Sequence, residues 1–250
     1  MSTARKCQGC GKRADLRKLG SRMLCGPCAR AAETQRQAAG PLTSASALRG
    51  LVDLFKQVGG PISALWFGAT LPLAIVCTQV DPESLLLVNQ LYGLIVGVAI
   101  AGAVVHIAVA HLQGEEWSMV RSIGTGYSNF LGLFATDLIW GLVVIFSLGI
   151  RWMSMHLRLP LIMSGEAWGV DSLGKSAAMM KGHRLKLAPA FILVAIPSLA
   201  GFALLFWPDP EPLLTGLMPL AASALGLPAL LLPAVVWARL REKESDEDPP

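Results

Sequence analysis

Four of the five cysteines lie within the first thirty residues as two Cys-x2-Cys pairs, Cys7 with Cys10 and Cys25 with Cys28. Two such pairs separated by a short segment have the ligand spacing of a tetrahedral zinc site. Four thiolates fill the coordination sphere, so the predicted ion is structural and has no open position for catalysis. A redox dithiol is the alternative, but two spaced pairs argue against it. The spacing therefore predicts a structural Zn²⁺ bound by these four cysteines.

Residues 1–30 are too few to form a hydrophobic core, so metal binding must supply most of their free energy of folding. The run from Leu16 to Leu24, between the two cysteine pairs, contains short strand-forming stretches around a turn at Gly20 and Ser21. We therefore expect a small zinc-ribbon β domain over residues 1–30.

The predicted ribbon is strongly basic, with eight Lys and Arg residues against Asp15 as its acidic residue. It contains no aromatic side chain that could stack on a base, which argues against nucleic acid as its partner. Next to a membrane, such a surface attracts anionic lipid or an acidic cytoplasmic protein. A solvated basic surface without a dedicated partner is the alternative.

Two ionisable residues, Asp137 and Arg158, lie within apolar stretches of the sequence. Ionisable groups at membrane depth are costly, and they pair with one another or mark a functional site. Asp137 lies twelve residues before Gly149 and Arg158 nine residues after it, which places the two at similar depth if the chain turns there. We predict that they pair. Such a pair either sets the register of two adjacent helices or lines a path for a substrate or proton.

The composition indicates what kind of element carries these residues. Of the residues, 53% are hydrophobic and 15% are charged, and the mean hydropathy is +0.53. Soluble proteins have about a quarter charged residues, so this composition is typical of a membrane protein. A helix crosses the hydrocarbon core with roughly 18 or more apolar residues. Six spans are predicted, at about residues 61–80, 89–112, 127–148, 150–164, 187–207 and 213–238.

The predicted fold is thus an all-α polytopic membrane protein with six transmembrane helices and a small N-terminal zinc-ribbon β domain. Residues 31–60 are expected to form a linker and an interfacial helix, and residues 61–238 the transmembrane domain. Residues 239–250 are highly charged and are expected to form a disordered tail.

Positive charge predicts the orientation of the spans, because Lys and Arg concentrate in cytoplasmic loops. The chain begins with a polar, basic segment that has no apolar export signal, so we expect the N-terminus in the cytoplasm. With six spans, 19 of the 21 Lys and Arg residues lie in cytoplasmic segments, and so does the C-terminus. Without the fourth span, the basic residues that follow it would lie outside. A re-entrant hairpin is the alternative for this short span.

A short repeat lies in two of the predicted loops, where nine residues from Glu116 and nine from Glu166 align at a constant offset of 50. The identical pairs are Glu116 and Glu166, Val120 and Val170, Ser122 and Ser172, and Gly124 and Gly174. Each copy follows a span heading inward and precedes one heading outward, which predicts two parallel helix-loop-helix units. Chance is the alternative explanation for so short a match.

The remaining candidate residues have structural interpretations. His106 and His111 are five residues apart, whereas two metal ligands on one helix face would be four apart. We expect these two histidines, and His156, to be core or interfacial residues. Gly93, Gly97 and Ala101 have the spacing of a close helix-packing site, with Gly97 at its centre.

The stretch from Gly149 to Leu187 resembles the fourth span and following loop of a broad bacterial family of six-helix membrane proteins. That family includes the membrane domain fused to some glycerophosphodiester phosphodiesterases. The recurring features are a Gly-Ile turn, an Arg in the span, a Pro, an acidic residue closing the span and a loop ending in Lys-Gly. Here they correspond to Gly149-Ile150, Arg158, Pro160, Glu166 and residues 172–182. The resemblance covers about residues 50–240, but the usual second Pro of the turn is missing and the zinc ribbon is additional.

The resemblance implies a module in the bacterial inner membrane whose biochemical role is unsettled. The 250 residues contain no phosphodiesterase domain and no credible pairing of a nucleophile with a base, so we expect no enzymatic activity. The sequence favours a non-enzymatic membrane module whose zinc ribbon binds a cytoplasmic protein or anionic lipid. The alternative is a transporter, or a protein that handles lipid or a small solute through Asp137 and Arg158.

Overall fold

The computed structural model describes residues 16–19, 22–25, 41–146, 152–204 and 212–247. Within them the chain is almost entirely helical apart from one two-stranded sheet. The elements are β1 (Leu16–Leu19), β2 (Arg22–Cys25), α1 (Ser44–Cys77), α2 (Pro82–Tyr92), α3 (Val98–Gln113), α4 (Met119–Ser128), α5 (Phe130–Phe146), α6 (Arg158–Met163), α7 (Asp171–Met179), α8 (Arg184–Leu204) and α9 (Pro212–Glu247). A π-helical segment, Gly93–Gly97, joins α2 to α3, and a 3-10 turn, Met153–Met155, precedes α6.

The two strands lie where the sequence predicts strand-forming stretches. They pair antiparallel with Leu16 opposite Cys25 and Leu19 opposite Arg22. Cys25, one of the four predicted zinc ligands, is buried. Cys7, Cys10 and Cys28 lie outside the described residues, and so does the predicted linker up to residue 40.

Among the described residues, four helices are long and apolar enough to cross a membrane, as expected of a membrane protein. They match the predicted first, second, fifth and sixth spans. Their apolar helical segments are Ser44–Cys77, Leu87–Gln113, Arg184–Gly201 and Thr215–Glu242. The predicted third span corresponds to α5, whose apolar part, Phe130–Val143, is shorter. The helices continue through their internal prolines, three of which lie in α9.

The predicted fourth span is not a continuous transmembrane helix in the part that the structure describes. It consists of the 3-10 turn and α6, which has six residues and is therefore about 9 Å long, against about 30 Å of hydrocarbon. Every residue of α6 is buried. Non-helical backbone is tolerated at membrane depth where protein surrounds it, so this segment is placed inside the bundle instead of against lipid.

Two predicted boundaries also need correction. The interfacial helix is not a separate element, because α1 runs unbroken from Ser44 to Cys77 and buries Leu51, Leu54 and Val58 in the core. At 34 residues, α1 is about 51 Å long and extends well beyond the hydrocarbon. The predicted disordered tail is helical to Glu247, because α9 continues through most of it.

The core lies toward one end of the helix bundle. In the main core cluster, the residues of α1 run from Ala47 to Ile62 and those of α9 from Leu227 to Leu240, together with residues of α6 and α3. At the opposite end the helices still approach closely at Gly201 and Gly216, but their outer faces are apolar. Exposed apolar side chains there include Leu71, Ile75, Leu91, Ile95, Leu199 and Leu217. Such a surface is stable when hydrocarbon, not water, covers it.

Polar contacts bring the charged helix ends to the packed end of the bundle. The Ser44 hydroxyl donates to the Lys186 carbonyl at 2.7 Å, which joins the starts of α1 and α8. The end of α9 is joined to the loop after α6 by Arg241 and Glu166, with Nε and Oε1 3.0 Å apart. The basic residues of these segments therefore share one end of the bundle, although α6 is too short to span a bilayer.

Close packing between α3 and α4 depends on glycine, at positions other than the predicted Gly93 and Gly97. A Cβ at Gly93 would have open space around it, and at Gly97 the nearest atom would be 3.9 Å away. The close approach is instead at Gly126 of α4, whose added Cβ would collide with the Ala99 carbonyl and lie 2.9 Å from the Ala103 nitrogen. The prediction of Gly97 as the packing position was wrong, because its surroundings in space could not be inferred from spacing.

We predict that Gly126→Ala lowers the free energy of unfolding by about 1–3 kcal/mol, because the new methyl group meets backbone that cannot move aside. The matched control is Gly124→Ala, two residues earlier on α4, where a Cβ has open space. This control should be neutral or stabilising, since alanine restricts the unfolded chain. Thermal unfolding of both variants in detergent measures the difference, and equal stabilities would contradict the packing.

Candidate functional site

The structure brings Asp137 and Arg158 into direct contact. Arg158 begins α6, and its Nε donates to Oδ1 of Asp137 on α5 at 2.7 Å. The Arg158 side chain is 9% exposed and that of Asp137 33%, so the guanidinium is the deeper partner. The ion pair therefore holds the short buried helix against the third predicted span.

Trp140 completes this site, and the sequence reasoning missed it. The guanidinium carbon of Arg158 lies 4.0 Å from the centre of the Trp140 ring, a cation-π geometry. Trp140 follows Asp137 by three residues, so both lie on the same face of α5. An aromatic residue one turn from an intramembrane carboxylate was the signal that could have indicated this contact.

The backbone at the break before α6 is satisfied by a serine on α7. The Leu157 amide donates to Oγ of Ser176 at 3.0 Å, and the same hydroxyl donates to the Ser154 carbonyl at 2.9 Å. Ser176 is completely buried. Unpaired backbone groups would be costly in this nonpolar interior, so Ser176 stabilises the junction that presents Arg158 to Asp137.

His156 lies next to this junction in an aromatic cluster. Its ring centre is 4.9 Å from those of both Trp152 and Phe191, with Trp140 at 6.2 Å. The contact with Phe191 is edge-to-face. Nδ1 of His156 is buried without a hydrogen-bond partner among the described residues. The expectation of a core histidine thus matches its position, but the ring retains an unused polar atom.

A second ionic cluster lies at the packed end of the bundle, around Glu166. Oε2 of Glu166 lies 3.0 Å from Nζ of Lys175 on α7, in a hydrogen-bonded ion pair. Oε1 lies 3.0 Å from Nε of Arg241 on α9, close enough for an ion pair but without hydrogen-bond geometry. The guanidinium of Arg241 also lies over the buried Trp237 ring at 5.4 Å. Glu166 therefore joins α7 and α9 to the loop after α6.

The two copies of the predicted repeat occupy comparable positions. Each precedes or begins a short helix, α4 or α7, and the equivalent residues Ser122 and Ser172 are both completely buried. Ser122 lies 3.0 Å from Nδ1 of His106, whereas Ser172 donates to the Gly169 carbonyl at 2.7 Å. The similarity therefore extends to the helix starts, while the side-chain contacts differ.

The histidines do not converge on a metal site in the described part of the chain. His106 contacts Ser122, and Nε2 of His111 lies 2.6 Å from Oε1 of Gln57 on α1. Among the described residues, no three His, Cys, Asp or Glu side chains are grouped as metal ligands would be. The predicted zinc site falls outside this test, because Cys25 is its one described ligand.

Comparison with protein-family models, with curated proteins and with solved structures finds no match for this chain.

The geometry around Asp137 and Arg158 is suited to holding helices together. The two charges neutralise each other, and the cation is covered by an aromatic ring, so the buried group is compensated on two sides. This arrangement therefore fixes α6 inside the bundle. Movement of an ion or proton would require the pair to separate.

We predict that Asp137→Ala destabilises the protein by about 3–5 kcal/mol, because it leaves the deeper Arg158 guanidinium without its counter-ion. Arg158→Leu should cost less, since Asp137 is one-third exposed and Leu keeps apolar packing. The double variant should be less destabilised than the sum of the two single variants.

Unfolding in mixed detergent micelles measures these three free energies. The control is Asp53→Ala, which removes an exposed pair with Lys56 and should change the stability by less than about 1 kcal/mol. Strict additivity of Asp137→Ala and Arg158→Leu would contradict an energetic coupling between the two side chains.

The repeat supplies a matched pair of variants for the Glu166 cluster. Glu166→Gln should destabilise by about 1–2 kcal/mol, because the mostly buried carboxylate loses its attraction to Lys175 and Arg241. Glu116→Gln, at the equivalent exposed position, should have little effect. Thermal unfolding at low and high salt measures both, and an equal response of the two variants would contradict a specific role of Glu166.

Proposed function

We propose that this protein is a membrane-anchored adaptor whose N-terminal zinc ribbon binds a cytoplasmic protein or anionic lipid. The helices anchor the ribbon in the bacterial inner membrane, with both chain termini in the cytoplasm. Zn²⁺ has a structural role, held by Cys7, Cys10, Cys25 and Cys28. The function is non-enzymatic.

The single observation that carries the proposal is the register of the β1–β2 hairpin. Because Cys25 ends β2 opposite Leu16, the residue that starts β1, both cysteine pairs connect to the open end of the hairpin. A zinc ribbon requires this arrangement, since its two knuckles must approach one ion. The buried position of Cys25 also suits a thiolate ligand better than a surface redox thiol.

The helical domain supports the anchoring role through its charge distribution. Five basic residues belong to helices whose ends are joined by polar contacts at one end of the bundle: Arg49, Lys175, Arg184, Lys186 and Arg241. Positive charge on one side favours that side as the cytoplasmic one. The ribbon, connected to the start of α1, would then face the cytoplasm, where thiols remain reduced and available to zinc.

Membership of the six-helix bacterial family is part of the proposal and rests on the sequence resemblance. In that interpretation, the 3-10 turn and α6 take the place of the fourth span. The chain passes from α5 back to the packed end through this broken and buried segment. The basic residues after α6 then still lie on the cytoplasmic side, although the fourth predicted span is not a continuous helix.

Transport through Asp137 and Arg158 is the competing function. It is supported by the one-third exposure of Asp137, which leaves the carboxylate accessible from one side. The 2.7 Å contact and the stacking on Trp140 favour the adaptor, because both would have to be broken during transport.

We predict that the purified full-length protein contains about one zinc ion per chain, and that Cys25→Ser loses it because three thiolates leave the tetrahedral site incomplete. The control is Cys77→Ala, which removes the buried cysteine of α1 that is not a predicted ligand. Elemental analysis of the three proteins measures the metal. Absence of zinc from the unaltered protein would contradict the ribbon.

The adaptor role is tested with the same three proteins, cross-linked in intact cells and purified from membranes. A cytoplasmic protein that is recovered with the unaltered chain and with Cys77→Ala should fall about tenfold with Cys25→Ser. If zinc is lost and the recovered proteins are unchanged, the ribbon is structural and the adaptor function is wrong.

A further inference from the structure

Three cations are grouped where the chain turns from α7 into α8. Lys181 lies in the connection between the two helices, and Arg184 and Lys186 lie in the first turn of α8. All three residues are exposed. The sequence from Ser172 to Pro208 contains no Asp or Glu, so no acidic neighbour in the chain offsets their charge. These three residues are called the basic turn.

The basic turn differs from the other cations at this end of the bundle because it lacks a carboxylate partner. Lys175 and Arg241 are both paired with Glu166. Among the described residues, no ion pair joins a cation of the basic turn to a carboxylate. Arg184 has one protein acceptor, since its Nη2 donates to the Ala177 carbonyl at 3.4 Å. That carbonyl is uncharged, so the positive charge of the basic turn is left without a counter-charge in this part of the protein.

An apolar stripe along α8 places the basic turn at the edge of the hydrocarbon. Leu185 is 90% exposed, and the stripe continues from it through Ile192, Ile196 and Leu199, each more than half exposed. These residues share one face of a helix that is apolar enough to cross a membrane. From Leu185 to Leu199 the helix rises about 21 Å, which is most of the roughly 30 Å of hydrocarbon. The residues on either side of Leu185 are cations of the basic turn, so those cations lie where the stripe meets the lipid head groups.

The combination of charge and apolar surface favours a phospholipid as the partner. Arg binds phosphate through its planar guanidinium and Lys binds it as a point charge. An acidic protein would match the charge, but it would leave the exposed side chain of Leu185 without an apolar neighbour. A zwitterionic lipid brings its own cation beside the phosphate, so cations without a counter-charge favour a head group with net negative charge.

We propose that the basic turn binds an anionic phospholipid. Its phosphate contacts Lys181, Arg184 and Lys186, and one of its acyl chains lies along the stripe that begins at Leu185. The site belongs to the helical domain. The inference therefore goes beyond the adaptor function and depends neither on zinc nor on the ribbon.

The probe is a phosphatidylglycerol with a photoactivatable diazirine on one acyl chain, added to the full-length protein in nanodiscs of phosphatidylcholine. The comparison probe is a phosphatidylcholine with the same labelled chain. Cross-links to the α8 peptide from Leu185 to Leu199 should be at least about tenfold more abundant with the anionic probe, since each cation near an anionic head group favours binding about fivefold. Equal labelling by the two probes would overturn the proposal and favour an acidic protein as the partner of the basic turn.

Three single variants, Lys181→Gln, Arg184→Gln and Lys186→Gln, test the residues of the site. Each should reduce the preference for the anionic probe several-fold, and the triple variant should abolish it. The control is Lys56→Gln, which removes the same charge from an exposed residue of α1 that is paired with Asp53. This control should leave the preference unchanged. An equal loss in the control would show that the overall charge of the protein attracts the lipid, and it would overturn the site.

Thermal unfolding identifies any variant that fails to fold, and the remaining single variants then still decide the outcome. Peptide mapping also separates this site from lipid bound by the ribbon. An anionic preference found on peptides of residues 1–30 and absent from α8 would overturn the proposal while leaving the adaptor function intact. A preference found on α8 in a protein without zinc would support the lipid site and contradict the ribbon.

Discussion

The structure depends on satisfying the backbone of a short helix in a nonpolar interior. Helix α6 has six residues, all of them buried, and it follows a break at which the regular hydrogen-bond ladder is interrupted. Ser176 closes that break by accepting from the Leu157 amide and donating to the Ser154 carbonyl. Without such a partner the segment would expose polar backbone to hydrocarbon, so it is stable only where α7 packs against it.

The charged residues are placed at depths that match their partners. Arg158, the deepest, has both a carboxylate and an aromatic face, whereas Glu166 lies nearer the packed end and is shared by Lys175 and Arg241. Buried ion pairs gain little over apolar packing, but each half alone is costly. They therefore specify which helices are neighbours more than they add to the total stability.

Two regions with different chemistry result from this packing. The basic, tightly packed end suits contacts with protein or anionic head groups. The outer faces of the helices at the opposite end are apolar and suit contact with hydrocarbon. The proposed adaptor function does not require the Asp137–Arg158 pair to open.

Composition alone determined that the chain is a helical membrane protein, because crossing hydrocarbon requires long apolar runs that few soluble segments have. The contact of Asp137 with Arg158 was also predictable, since two charges at equal depth have few other partners in a membrane. The spacing of the cysteines predicts a zinc site by the same kind of local rule. Only the tertiary structure decided that the fourth apolar run is broken and buried, because hydropathy does not distinguish a side chain covered by lipid from one covered by protein. Ser176, Trp140 and the aromatic cluster around His156 likewise depend on which helices are neighbours, and that arrangement arises from packing in three dimensions.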